Sequence, residues 1–328
     1  MQTRRFHRQP WTLAIVVFWL AILVGVYANQ QQIIDWWKLR GYSPPAQISS
    51  LAVEDTMTAS ARHLFYVNKP VIATGQTFTH NCPEGAEKTV VLGCYISDDR
   101  GIYLYQVTDS RLDGVVQVTA AHEMLHAAYE RLSTAERNRI DSLLKQYYQY
   151  GLTDSRVKAT IDAYKKSEPS ELSNEMHSVF GTEVVSLPSE LETYYARYFT
   201  DRRQVTGYTA RYQQEFTSRQ NQVARYDVQL TALKQSIENH ETKLAALRSD
   251  IETQQNKLEA LQAAQSYGAY NLSVSGYNQA VRQYNDLLNQ TKAEIERYNV
   301  LVDTRNSVAL EEQQLVQALS SQSLPGAQ

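Results

Sequence analysis

Two histidines four residues apart, His122 and His126, stand in the stretch VTAAHEMLHAAYE at 118–130, and Glu123 directly follows the first. On an α-helix, residues four apart lie one turn along the axis and about 40° apart around it, so both imidazoles can be aimed at one metal ion. Glu123 then sits beside that line without lying on it. A general base must stand there to take a proton from an activated water without occupying the metal itself. The pattern is short and carries two free positions, so its weight depends on the elements around it.

Those surroundings fit a buried active-site helix. Val116, Ala120, Ala121, Leu125 and Ala128 are small or aliphatic, and the helix falls between a β-rich segment and a helical one. The arrangement resembles the zincin metallopeptidases, whose metal helix follows an edge strand that holds the substrate backbone. The motif stands here as His122-Glu123-Met124-Leu125-His126. Arg131 and Leu132 occupy the region where the metzincin branch would place its third histidine, which leaves the gluzincin branch. That resemblance implies a glutamate ligand from a later helix, often preceded by Asn, and Asn174-Glu175 offers one. Glu175 is thus the expected third ligand of Zn²⁺, with Glu171 and His177 as alternatives. A donor for the oxyanion of amide hydrolysis is also needed, and His177, Tyr194, Tyr195 and Tyr198 are candidates by type.

The elements that must position these groups are legible in outline. The segment 50–70 has helical spacing through Leu51, Met57, Ala61 and Leu64 and is stopped by Pro70. VIATG, TVVLGCYI and GIYLYQV are short, rich in β-branched and aromatic residues, and predict a small sheet ahead of the metal helix. Ser133 with Glu136 predicts a capping box for a helix ending near Tyr150. Further helices are expected from Pro169, ended by Gly181, and from Pro188. The expected fold is α+β, a zincin-like peptidase domain over 51–204.

At the N-terminus, Arg4, Arg5 and Arg8 precede a run from Trp11 to Ala28 that carries no charge. Its length suits a bilayer-crossing helix and exceeds the usual apolar core of a signal peptide. The expectation is a basic cytoplasmic tail over 1–10, a transmembrane anchor over 11–28, a linker over 29–50 and an extracytoplasmic body. Lys38 and Arg40 weaken the charge bias, and secretion after cleavage near Ala28 is the alternative. The only cysteines, Cys82 and Cys94, fit export: a hairpin would bring them into a disulfide, with two buried thiols as the other reading. A formal net charge of -3 offers no basic footprint for nucleic acid.

Beyond 205, Leu230, Leu233, Ile237, Leu244, Leu247, Ile251, Leu258 and Leu261 follow a 3-4 alternation. SYGAYNLSVSG at 266–276 interrupts it, and Val281, Tyr284, Leu288, Ile295, Tyr298, Val302, Val316 and Leu319 resume it. An antiparallel coiled-coil hairpin over 205–322, followed by a short tail at 323–328, is expected. The whole reads as a membrane-anchored zinc peptidase acting on a peptide or protein. The alternative is an envelope scaffold or adhesion protein that works, or self-associates, through the coiled coil.

Overall fold

The computed structural model describes residues 10–82, 92–97 and 100–320. They form two compact units, one on residues 10–108 and 113–210 and the other on 109–112 and 211–319. The architecture is α+β, mostly helical with one small sheet.

The first unit is organised around α6, Val115–Glu130, which carries the two histidines. Ala120, Ala121, Met124, Leu125, Ala127 and Ala128 on it are at most 2% exposed, so this helix is wrapped on nearly every side. Its neighbours are α3 (Ala46–Glu54), α4 (Ala59–Val67), α9 (Leu172–Glu183) and a three-stranded sheet. In that sheet β3 (Gly101–Tyr105) is central, parallel to β1 (Val71–Ala73) and antiparallel to β2 (Gly93–Ile96). Side chains alternate across a strand. Ile102 and Leu104 therefore join the core around α6, while Tyr103 and Tyr105 pack with Phe78 and the two cysteines on the other face.

Cys82 and Cys94 form a disulfide with a Cα separation of 5.9 Å. The expected hairpin is not what joins them within the described residues: Cys82 ends the short helix α5 (Gly75–Asn81), and only Cys94 lies on a strand. The segment 50–70 also differs from a single helix. It breaks at Asp55–Thr58 into α3 and α4, with Thr56 at φ 53° and the Thr58 hydroxyl capping Ala61 N at 3.2 Å. Tertiary pairing explains the break, since Met57 bridges Phe199, and Thr58 N and Thr200 N bond the carbonyls of Tyr198 and Thr56.

After α6 come α7 (Thr134–Tyr150), α8 (Ser155–Ser167), α9 and α10 (Ser189–Tyr195). The Ser133 hydroxyl accepts from Glu136 N as its sequence predicts, and Asp154 caps α8 in the same way. Gly181 does not end α9. It lies inside the helix where a Cβ would come within 2.5 Å of Leu125 Cδ1 and 2.8 Å of Tyr195 Cε1, so its role is the close approach of α9 to α6. The buried Arg202 caps α9 instead, donating to the carbonyls of Val184 at 2.5 Å and Val185 at 3.2 Å.

At the N-terminus, α1 spans Pro10–Ala28 and α2 spans Gln30–Leu39, so much of the expected linker 29–50 is helical and docked. Among the described residues no single helix is long and apolar enough to cross a membrane; Ala14–Ala28 and Gln30–Leu39 pass that test together, bent by 61°. Residues 1–9 of the expected basic tail 1–10, and the tail 323–328, lie outside the described residues.

The second unit is an antiparallel pair made by α11 (Arg202–Ala263), beyond its first residues, and α12 (Tyr267–Leu319). Arg219 meets Glu311, Asp227 meets Arg305, Ser236 meets Glu294, and Gly276 lies over Gln254. The turn is not the expected 266–276. It is a Schellman closure in which Ser266 N bonds Leu261 O at 2.9 Å and Gln265 N bonds Gln262 O at 3.0 Å. Gln265 takes the left-handed position at φ 53°, so Gly268 and Gly276 fall inside α12. The seam of the first arm is half-buried as predicted, but Ile295 and Val316 are 40% and 47% exposed, and Thr291 and Leu315 take the inward places.

Candidate metal centre

The pitch of α6 sets His122 and His126 one above the other, and their Nε2 atoms converge to 3.0 Å. From α9, which crosses α6 at the Gly181 contact, Glu175 brings its carboxylate to both. Oε2 is 3.8 Å from His122 Nε2, and Oε1 is 3.6 Å from His126 Nε2. One donor atom from each of the three residues fits within 4.8 Å of the others. Ligands held tetrahedrally around zinc at 2.0–2.1 Å are separated by about 3.3 Å, so these spacings are close to those of a closed ligand set.

Two further observations show that the donors fit a cation. Glu175 Oε2 is buried with no hydrogen-bond partner, which is costly for an acceptor unless something positive faces it. His126 Nδ1 is 2.9 Å from Asn174 Oδ1. With the amide oxygen facing the ring, Nδ1 carries the proton and donates it, and the Nε2 lone pair is left to point at the ligand cluster. Asn174 is held in turn, its Nδ2 donating to Glu171 Oε2 at 3.4 Å.

The three acidic or basic candidates on this segment are therefore sorted by position. Glu175 faces the histidines, and Glu171 reaches the cluster only through Asn174. His177, the other alternative ligand, points away: it is fully buried, with Nε2 bonded to the Tyr194 hydroxyl at 2.8 Å. Burial, and next the nearby His126 and His122, pull its pKa down to about 3, so it is neutral.

The candidate oxyanion donors go with it. Tyr194 bonds His177 and Tyr198, and the Tyr195 hydroxyl donates to the His177 carbonyl at 2.6 Å. All four form a buried aromatic cluster that reaches α6 through Tyr129, whose ring packs on His177. Their hydroxyls serve the packing of that cluster, and none is directed at the histidine pair.

Burial pushes the Glu175 carboxyl up, but the His126 and His122 rings and the Tyr164 hydroxyl outweigh it and hold it below its usual range. Glu175 is thus an anion at neutral pH. Glu123 is 5% exposed and lies against β2, where Gly93 leaves room for it: a Cβ there would fall 2.7 Å from Glu123 Oε1 and 2.5 Å from Thr119 Cγ2. Sequence reasoning did not find Gly93, Tyr164 or the role of Asn174. An isolated glycine in a strand pattern is the one available signal, since it marks close backbone approach. Comparison with family models, with curated proteins and with solved structures gives no match.

Proposed function

We propose that the protein is a zinc-dependent peptidase of gluzincin-like type, with Zn²⁺ held by His122, His126 and Glu175 and with Glu123 as general base. The observation that carries this reading is the convergence of those donors, with His126 oriented by Asn174 and one buried oxygen of Glu175 left without a hydrogen bond. Two histidines and a glutamate form the donor set of catalytic zinc sites that leave a fourth position open. A zinc ion so held supplies Lewis acidity, polarising the scissile carbonyl and making water acidic enough to lose a proton near neutral pH.

The chain's own residues do the rest. Glu123 takes the water's proton and passes it to the leaving amine. Asn174 keeps the His126 ring in one tautomer and orientation. Among the described residues β2 has one partner, β3, and its other edge is open to an extended peptide, which would add as a further strand beside Glu123. An anchor over 11–28, with the N-terminus cytoplasmic and the body extracytoplasmic, belongs to the same proposal. The outward-facing apolar side chains of α1 and the Cys82–Cys94 disulfide support it.

The test is metal content with activity. Purified protein should carry about one zinc per chain and lose peptide hydrolysis to a chelator, as expected of a catalytic site. Glu123→Gln should lower hydrolysis by about 10²–10⁴-fold and leave the zinc in place. A folded, metal-free protein without hydrolytic activity would favour the scaffold reading, in which the long hairpin does the work.

A further inference from the structure

α2 is amphipathic in the opposite sense to a helix packed on a protein core. Each residue turns the helix by about 100°, which places Ile33, Ile34, Trp36 and Trp37 on one side and Asp35 on the other. The side with Asp35 is the docked one. Asp35 is 3% exposed and receives both terminal nitrogens of Arg131, at 2.6 and 3.0 Å, with His63 Nε2 and Gln31 Nε2 also at 3.0 Å. The apolar side faces away from the protein: Ile33 and Ile34 are 41% and 46% exposed, Trp36 and Trp37 58% and 61%. The Arg40 guanidinium lies 5.5 Å from each indole.

The chain itself says what covers this face. One residue, Asn29, separates α1 from α2, and the apolar side chains of α1 from Ile15 to Tyr27 are exposed around the whole helix. α2 passes the length-and-composition test only together with α1, from which it is bent by 61°; its glutamines, Lys38 and the Asp35 held by Arg131 make continuation of the span through hydrocarbon costly. A helix of this kind lies along a bilayer surface, and indole rings settle at that boundary.

We propose that α2 is a membrane-surface helix whose Ile33, Ile34, Trp36 and Trp37 insert into the lipid interface while Asp35 clamps its other side to the metal-bearing body. This rests on the anchor reading of 11–28. Arg131 directly follows the last residue of α6, so the clamp joins the lipid-lying helix to the helix of His122 and His126 and sets the site close to the bilayer.

The full chain in phosphatidylcholine vesicles provides the test, because it has four tryptophans in two pairs. W11F/W19F leaves Trp36 and Trp37 as reporters, and W36F/W37F leaves Trp11 and Trp19. Each is measured in lipid brominated near the head group and in lipid brominated near the chain end. Trp36 and Trp37 should lose emission to bromine, and more to the shallow label than to the deep one. Quenching of Trp11 and Trp19 without quenching of Trp36 and Trp37 overturns the inference and leaves the anchor standing. Blue-shifted, bromine-insensitive emission from Trp36 and Trp37 would do the same by showing protein on that face. If neither pair is quenched, the anchor reading fails and the inference with it.

Discussion

A single amide, Asn174, decides which nitrogen of His126 faces the other donors. Removing it leaves the three proposed ligands in place but frees the ring, so on the zinc reading Asn174→Ala should weaken zinc binding by about 10–100-fold, measured by chelator competition. Glu175→Ala should lose more than that, because it deletes a ligand. Glu171→Ala should cost no more than Asn174→Ala, since Glu171 touches the site only through that amide. A larger loss at Glu171 than at Glu175 would reverse the ligand assignment. A different carboxyl, Asp55, is expected to add its own pH dependence to stability. Both oxygens of Asp55 are buried without a hydrogen-bond partner, and burial, then the neighbouring Glu54 charge, push its pKa well above 3.8. The folded state therefore holds this proton more tightly than the unfolded chain does. The stability so contributed is complete below the unfolded pKa and is lost as pH rises toward the folded one. Asp55→Asn should accordingly raise the urea midpoint near neutral pH and flatten that decline. A variant with the wild-type slope would show that Asp55 is not its source.

Between elements, the contact of β2 with α6 constrains Glu123, the proposed general base. A methyl at position 93 must displace Glu123, Thr119 or the strand. Gly93→Ala should destabilise the protein by about 1–3 kcal/mol, as overpacking of a filled interior does. It should also lower kcat while zinc content stays at the wild-type level. Adding Thr119→Ser removes the atom that a Cβ would approach to 2.5 Å but leaves the approach to Glu123, so the double variant should recover only part of the lost stability. Activity should stay low, because Glu123 remains displaced. Recovery of both together would mean that the strand shifts as a whole and that the position of Glu123 does not depend on Gly93.

For the whole molecule, the hairpin is a unit with its own register. Cross-helix pairs at Arg219–Glu311, Asp227–Arg305 and Ser236–Glu294 run along it, and the connecting turn is three residues, Ala264 to Ser266. Closing so short a loop costs little entropy, whereas dimerisation must pay for a second chain. A fragment of residues 211–319 should be highly helical and monomeric at micromolar concentration in sedimentation. An elongated dimer in which each chain's seam is covered by the other would overturn this and make association the hairpin's main work.

The histidine pair, its glutamate and the seam of the first arm were legible because they are periodic: four residues bring side chains over one another on any helix, and a 3-4 alternation lays a stripe. The Ser133 cap was legible because it is local, its hydroxyl accepting from the amide three residues on; the Asp154 cap of α8 is equally local, but the sequence reading placed no helix there. The choice of Glu175 over Glu171 and His177 was not local. It depended on how α9 lies across α6, and so on Gly181 and the Arg202 cap, neither of which has a pattern of its own. The break at Asp55–Thr58 likewise comes from pairing with residues some 140 positions away. The hairpin turn went to Gln265 against the pull of two glycines, because the facing register of two long helices outweighs the conformational preference of one residue. α2 lies in the stretch expected to be a linker, and its apolar residues turn outward, so no buried face marks it as a helix of the body. Sequence periodicity determines which side chains share a face of an element; only the packing of elements decides what that face meets.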